Sequence, residues 1–174
     1  MTNQNAQDSL VNNSRALDEV LAHLRFIQAV EWEAWGRRKR PLYLGPVDFV
    51  LREGRTWTPA RLPRGIRLGE RGQCYKNAFN LALCNRITYV EGYAGDVVPI
   101  AHAWCIDEEG RVVDNTWSDS EQCVYFGVAF DSKYVESTVL RQRVYGLIDM
   151  PETGWPLITG QHENWRHRSL SNAD

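Results

Sequence analysis

The sequence predicts an α+β fold in which helices pack on one face of an antiparallel sheet. Apolar residues recur at helical spacing in the N-terminal part of the chain, and a second helical pattern begins at Cys74. Short segments rich in β-branched and aromatic residues then follow one another closely. Strands with such short connections pair antiparallel, because a parallel pair needs a long crossover.

The first predicted helix follows a polar N-terminal segment. Residues 1–13 are rich in Asn, Gln and Ser, and we expect them to be flexible. Ser14 is expected to cap the helix, whose apolar positions continue to Val30, and Gly36 predicts its end. We find no linker or repeat in the remainder, so residues 14–174 are expected to form a single domain.

The segment between the first helix and Cys74 is rich in turn-forming residues. Proline and glycine recur through residues 41–70, which indicates loops with one short strand near residues 48–52. From Cys74 onward the periodicity alternates between helical and strand-like. It predicts helices over residues 74–85 and 134–143, and strands over residues 87–94, 100–107, 111–114 and 123–130.

The bulk composition is that of a soluble globular domain. The 174 residues can bury a core, and the formal net charge of −2 gives no general attraction for nucleic acid or an anionic membrane. The basic run at residues 37–40 is interpreted as a solvated loop. No segment has the length and apolarity of a membrane span, and the N-terminus lacks a signal-peptide core. We therefore expect a cytoplasmic protein.

Cys74 is the cysteine best suited to nucleophilic chemistry. It lies where a loop enters a predicted helix, and unsatisfied N–H groups and the positive end of the helix dipole favour a thiolate there. The same N–H groups can stabilise a developing oxyanion. Cys84 falls at a helix end, and Cys105 and Cys123 fall inside strands, so these three are interpreted as free thiols with packing roles.

His102 and Asp114 are predicted to be neighbours on two adjacent strands. A turn near Glu109-Gly110 would join the strands as a hairpin and bring the two side chains roughly opposite each other. The carboxylate could then fix the tautomer of the imidazole, whose other nitrogen would face a thiol. We expect Cys74 as nucleophile, His102 as general acid and base, and Asp114 as the residue that orients the imidazole.

A family resemblance lies in the order of three motifs. The chain has a cysteine at position 74, His-Ala-Trp at 102–104 and, after a short hairpin, Val-Asp-Asn-Thr-Trp at 113–117. This order resembles the transglutaminase-like superfamily of papain-like Cys-His-Asp enzymes. The resemblance implies that the cysteine opens a helix packed on an antiparallel sheet, and that neighbouring strands carry the histidine and the aspartate. It covers about residues 70–130 and departs at Asn115, where the family often has proline.

Contacts with the substrate and the oxyanion are less specified by the sequence. The backbone N–H of Cys74 is the natural first oxyanion donor, and Gln73 and Trp57 are candidates for a second. Further candidates for the cleft, for which core or rim packing is the simpler explanation, are Tyr75, Glu91, Tyr93 and Trp104. No metal or cofactor is expected.

The triad predicts acyl transfer through an acyl-enzyme intermediate, within a single catalytic domain. Hydrolysis of a peptide, a protein or a small amide is the expected outcome, as in a protease, amidase or deamidase. Transfer to an amine is an alternative, as in transglutaminases or in arylamine N-acetyltransferases, which residues 71–74 also resemble. A silent binding module on the same scaffold, or a metal hydrolase using the same three side chains, is a further alternative.

Overall fold

The computed structural model describes residues 2–35, 41–96, 98–162 and 164–167, and the side chains of all these residues except 2–13 and 35. Its helices are α1 (Thr2–Trp35), α2 (Pro46–Glu53), α3 (Cys74–Asn85) and α4 (Ser132–Gln142). Its strands are β1 (Arg55–Trp57), β2 (Thr88–Gly95), β3 (Ile100–Ile106), β4 (Val112–Val113) and β5 (Val124–Ala129). The predicted α+β class with an antiparallel sheet is confirmed.

The five strands form one curled sheet in the order β1-β5-β2-β3-β4, with every neighbouring pair antiparallel. Thr58, directly after β1, donates its N–H to the carbonyl of Gly110 and accepts the N–H of Val112 in β4. The two edges of the sheet therefore meet at one end. This curl gives the sheet a concave inner face and an outer face.

The helices pack on the outer face. α3 lies against β3 and β2, while α1 and α2 lie against β5. Because side chains alternate along a strand, Ala103 faces the helical core, whereas His102 and Trp104 face inward. A smaller apolar core fills the inner face and consists of Trp57, Val90, Ala94, Trp104, Ile106, Val112, Cys123 and Tyr125.

Two predicted elements near the N-terminus are wrong. Residues 48–52 lie in helix α2 and not in a strand, because Pro46 starts the helix and its apolar face is buried through Val47 and Val50. Ser14 lies inside α1 and does not cap it, since the helix begins at Thr2. The flexibility of residues 1–13 stays a prediction.

The elements after residue 73 follow the sequence closely. Helix 74–85 matches α3, and the four predicted strands match β2, β3, β4 and β5 to within one or two residues at each end. β1 was not expected. The predicted helix end at Gly36 and the basic run at 37–40 lie outside the described residues. Among the described residues, we find no helix that is both long enough and apolar enough to cross a membrane.

Candidate active site

Cys74 is the first residue of α3, and Gln73 occupies its N-cap position. Gly72, in the turn just before, has a φ of 77°, a left-handed conformation that glycine adopts without strain. The thiol is half-buried and lies close enough to the backbone N–H groups of Tyr75 and Ala103 for both to lower its pKa. The helix start therefore presents Sγ to the edge of β3.

The edge of β3 is open at the point where the thiol meets it. On β3, the residues that pair with β4 are Cys105 and Ile106, and the chain leaves the sheet at Asp114. The predicted strand 111–114 is thus shorter than expected. Because β4 does not extend far enough to pair with Ala103, the N–H of this residue is available to the Cys74 thiol.

His102 approaches the thiol from the inner face. Its ring is buried, and Nε2 lies 2.8 Å from Asp114 Oδ2. Since an ionised carboxylate only accepts hydrogen bonds, Nε2 carries the proton in this contact. The remaining ring nitrogen, Nδ1, is left to face Cys74, whose thiol interacts with this imidazole. The structure brings the three predicted side chains together in this order, and their catalytic roles stay predictions.

The pKa shifts of Cys74 and His102 favour a thiolate on the cysteine and an imidazolium on the histidine. Burial raises the pKa of Cys74, but the hydrogen bond and charge of His102 and the N–H groups of Ala103 and Tyr75 outweigh it and lower this pKa below its usual value. Burial also lowers the pKa of His102, but hydrogen bonds to Asp114 and Cys74 prevail and raise it to about 9. The two pKa values are thus shifted in the directions that stabilise an ion pair.

Asp114 is fully buried and accepts a hydrogen bond from each of four donors. Oδ1 accepts the backbone N–H groups of Thr116 at 2.8 Å and Trp117 at 3.4 Å. Oδ2 accepts the ring N–H of His102 and, at 2.9 Å, the hydroxyl of Tyr125. With both oxygens occupied, the carboxylate has a fixed plane, and so has the imidazole that it holds.

Aromatic rings enclose His102. The ring of Trp117 stacks on it at a centroid distance of 3.9 Å and an angle of 10°. Trp104 lies behind at 6.1 Å, is 1% exposed, and meets Tyr125 edge to face. Trp104 therefore supports the histidine from the interior and does not line the surface cleft expected from the sequence. Its indole N–H has no hydrogen-bond partner within the part of the chain that the structure describes.

Asn77 links the loop before Cys74 to the turn after Asp114. Its buried amide donates to the carbonyl of Glu70 at 2.8 Å and to the hydroxyl of Thr116 at 3.1 Å, and it accepts the N–H of Glu70. The position of the thiol is in this way tied to that of the carboxylate. In the sequence, Asn77 is indicated only as an amide on the apolar side of a predicted helix.

The remaining candidates divide into residues near the thiol and one residue elsewhere. Gln73 is exposed beside Cys74. Tyr75, the next residue along α3, lines a cavity of about 110 Å³ together with Glu91 and Tyr93, and neither Cys74 nor His102 is among the residues that line this cavity. Trp57 is not brought to Cys74. It lies on β1, and its indole N–H is donated to the carbonyl of Gly127 at 3.1 Å, so it is not available for an oxyanion.

Glu91 has a structural function that the sequence did not reveal. It is 2% exposed and accepts hydrogen bonds from the Tyr89 hydroxyl at 2.7 Å and from the N–H groups of Leu147 and Ile148. Burial raises the pKa of Glu91 to about 7, although these hydrogen bonds act in the opposite direction. The carboxylate thus fastens residues 147–148 to the outer face of the sheet.

The other cysteines are less suited to the role of nucleophile. All four are free thiols. Burial raises the pKa of Cys105 well above its usual value and that of Cys123 to about 11. Cys84 is exposed near the end of α3, far along the helix from its N-terminus. Among the described residues, we find no group of three or more His, Cys, Asp or Glu side chains arranged to hold a metal ion.

Comparison of the chain with protein-family models, with curated proteins and with solved structures gave no match in any of the three cases. The chemistry of this site is therefore inferred from its geometry. A thiol can be activated for nucleophilic attack when it lies at a helix N-terminus beside a buried imidazole. Here that imidazole is in turn bonded to a carboxylate whose two oxygens both accept hydrogen bonds.

Proposed function

We propose that the protein is a thiol-dependent acyl-transfer enzyme of the transglutaminase-like kind, with Cys74, His102 and Asp114 as its catalytic triad. The single observation that carries the proposal is the buried series in which the Cys74 thiol at a helix start faces the imidazole of His102, whose Nε2 is hydrogen-bonded to the buried carboxylate of Asp114. A structural cysteine needs none of these partners, because a neutral thiol packs well in an apolar core.

The first half of the proposed reaction is acylation. Sγ of the Cys74 thiolate attacks the carbonyl carbon of an amide, and the N–H groups at the start of α3 stabilise the oxyanion. The tetrahedral intermediate collapses with cleavage of the C–N bond. The imidazolium of His102 gives its Nδ1 proton to the departing amine, which leaves a thioester on Cys74 and a neutral imidazole.

The second half is deacylation. His102 takes a proton from water, the resulting hydroxide attacks the thioester carbonyl, and the C–S bond breaks to release a carboxylic acid. The thiolate–imidazolium pair is then restored. We propose hydrolysis of a peptide, protein or small amide in the cytoplasm, where a reducing medium keeps the thiol reduced.

Trapping of the acyl group on Cys74 tests this proposal. The protein is incubated with a series of activated amides and thioesters, quenched in acid, and digested for mass spectrometry of the Cys74 peptide. We expect an acyl adduct on Cys74, with release of acid only after the adduct has formed. Addition of a primary amine distinguishes hydrolysis from transfer, since a transferase would give the amide of that amine.

Two variants make this test specific. Cys74→Ala should abolish both the adduct and turnover, while Cys84→Ala, which removes an exposed thiol on the same helix, should retain both. Turnover in Cys74→Ala, or acylation of Cys84 at the same rate as Cys74, would show that the triad is not the reacting group.

A further inference from the structure

Tyr125 contacts the carboxylate of the proposed triad at Oδ2. Its hydroxyl donates to Asp114 Oδ2, the same oxygen that accepts the ring N–H of His102. The other oxygen is held by two backbone N–H groups, which no side-chain substitution removes. Tyr125 is therefore the one side chain, besides His102, among the donors that the structure shows on this carboxylate.

We infer that Tyr125 is a positioning residue of the triad: its hydroxyl fixes the plane of the Asp114 carboxylate and withdraws negative charge from the oxygen that His102 contacts. This inference rests on the proposed function, because it assigns Tyr125 to the same site. The contacts that the structure shows for Tyr125 are with Asp114 and with the rings of His102, Trp104 and Trp117, so it acts on the thiol through Asp114 and His102.

The location of the hydroxyl supports this assignment. Tyr125 is fully buried on the inner face of β5, and its ring packs edge to face on Trp104 at 5.0 Å. Burial and the charge of Asp114 raise the pKa of Tyr125 well above its usual value, so the hydroxyl remains a donor throughout the working pH range. A phenylalanine would fill the same space and lack only this donor.

Loss of the hydroxyl should strengthen the hold of Asp114 on the imidazolium. With one donor fewer on Oδ2, the charge of the carboxylate is less dispersed, which favours the protonated form of His102. We expect the pKa of His102 to rise further in Tyr125→Phe, by roughly 0.5–1 pH units. A tyrosine that served only to fill the core would leave this pKa unchanged.

The neighbouring titratable groups do not obscure this readout. Asp114 and Cys74 face His102, and Cys123 and Asp119 lie near Tyr125. Cys105 belongs to the helical core on the outer face, where the charge of Asp114 still acts on it. The pKa values of Cys105 and Cys123 are raised by burial, to about 11 in the case of Cys123. Both remain neutral thiols near pH 9, where His102 titrates. A Cys74→Ala background removes the thiol that is coupled to His102 and leaves Asp114 as the bonded partner of the imidazole.

The molecule contains a matched control. Tyr89 is likewise buried and donates its hydroxyl to a buried carboxylate, that of Glu91, but on the outer face of the sheet. Tyr89→Phe removes the same atom from the same kind of contact, together with a second contact of this hydroxyl to the carbonyl of Tyr145 at 3.1 Å. Both variants should lose stability, because each leaves a buried acceptor short of one donor.

The test is an NMR titration of the imidazole nitrogens in full-length protein labelled with ¹⁵N-histidine, with the His102 signal assigned from His102→Gln. We expect an upward shift of the His102 midpoint in Tyr125→Phe and none in Tyr89→Phe. Replacement of Tyr125 by 3-fluorotyrosine, a stronger donor of nearly the same size, should shift the midpoint downward. This second variant decides the matter if Tyr125→Phe does not fold.

Equal midpoints in wild type and the position-125 variants would overturn the inference, as would an equal shift in Tyr89→Phe. These outcomes are independent of acyl chemistry. If acyl trapping on Cys74 fails while the His102 midpoint still moves, the proposed function is wrong and the link between Tyr125 and the imidazole stands. If trapping succeeds and the midpoint does not move, the reverse holds.

Discussion

Within the part of the chain that the structure describes, a buried carboxylate on each side of the sheet accepts a hydrogen bond from a buried tyrosine hydroxyl. Asp114 lies on the inner face with Tyr125, and Glu91 lies on the outer face with Tyr89. Both are almost fully excluded from solvent, at 0% and 2% exposure. Their remaining partners differ. Backbone N–H groups complete the shell of Glu91, whereas that of Asp114 includes the imidazole of His102.

That difference decides what each carboxylate can do. Glu91 is bonded to groups that neither gain nor lose a proton near neutral pH, so it can only fasten one segment to another. Asp114 is hydrogen-bonded to the imidazole of His102, which in turn interacts with the Cys74 thiol. The charge of Asp114 therefore stabilises the imidazolium that lowers the pKa of Cys74. Burial with a tyrosine partner is thus compatible with either role, and the titratable neighbour separates them.

The largest difference is expected when each carboxylate is replaced by its amide. In Asp114→Asn and Glu91→Gln, the new NH2 group replaces an oxygen that accepted hydrogen bonds, so donor faces donor. Each variant should therefore lose about 1–3 kcal/mol of stability. Only Asp114→Asn should also slow acylation of Cys74, on the order of 10³-fold, because the imidazolium loses its counter-charge. Urea unfolding and stopped-flow acylation measure the two effects.

A comparable loss of acylation rate in Glu91→Gln would contradict the distinction between the two carboxylates. The same would follow if Asp114→Asn unfolded more easily but acylated at the wild-type rate.

A second difference concerns the pH range over which each site affects stability. Between pH 4.5 and about 7, the folded protein retains a proton on Glu91 that the unfolded chain releases, so this group lowers stability as the pH rises. The contribution of His102, whose pKa is raised from 6.5 to about 9, is complete below pH 6.5 and is lost as the pH rises through 9.

Urea unfolding across pH 4–10 separates these two windows. Glu91→Gln should flatten the decline of the unfolding free energy between pH 4.5 and 7, and His102→Gln should flatten the decline between pH 6.5 and 9. If Glu91→Gln instead changed the upper window, the assignment of these pKa values to the two faces would be wrong.

The smallest effect is expected from the ring that covers His102. Trp117→Leu removes the stacked indole but leaves the backbone N–H of Trp117 on Asp114. Stacking of this kind contributes about 0.5–1.5 kcal/mol, so acylation should slow by about 2- to 10-fold. Trp155→Leu, which removes an exposed indole remote from the triad in sequence, is the control and should acylate normally.

The half of the fold that holds the triad was predictable because its contacts are local. A glycine turn and apolar helical spacing place Cys74 at a helix start. One short hairpin relates His102 to Asp114, so only the length of β4 was wrong. The proposed class of site rests on these three residues together with the family resemblance, and it stays a prediction.

The contacts of the other candidate residues were not predictable, because they join residues far apart in the chain. Glu91 meets residues 147–148 only after the C-terminal segment folds back on the outer face. Trp57 was proposed as an oxyanion donor, but pairing of β1 with β5 commits its N–H to Gly127. The register of β5, which places Tyr125 beside Asp114, likewise has no signal in the local sequence.

The measurement that bears most directly on the central claim is the rate at which each of the four cysteines reacts with iodoacetamide at pH 6, followed peptide by peptide by mass spectrometry. We expect Cys74 to react at least about tenfold faster than exposed Cys84, because its pKa is lowered by His102 and the helix start. His102→Gln should remove this advantage. A Cys74 that reacts no faster than Cys84 would contradict the account.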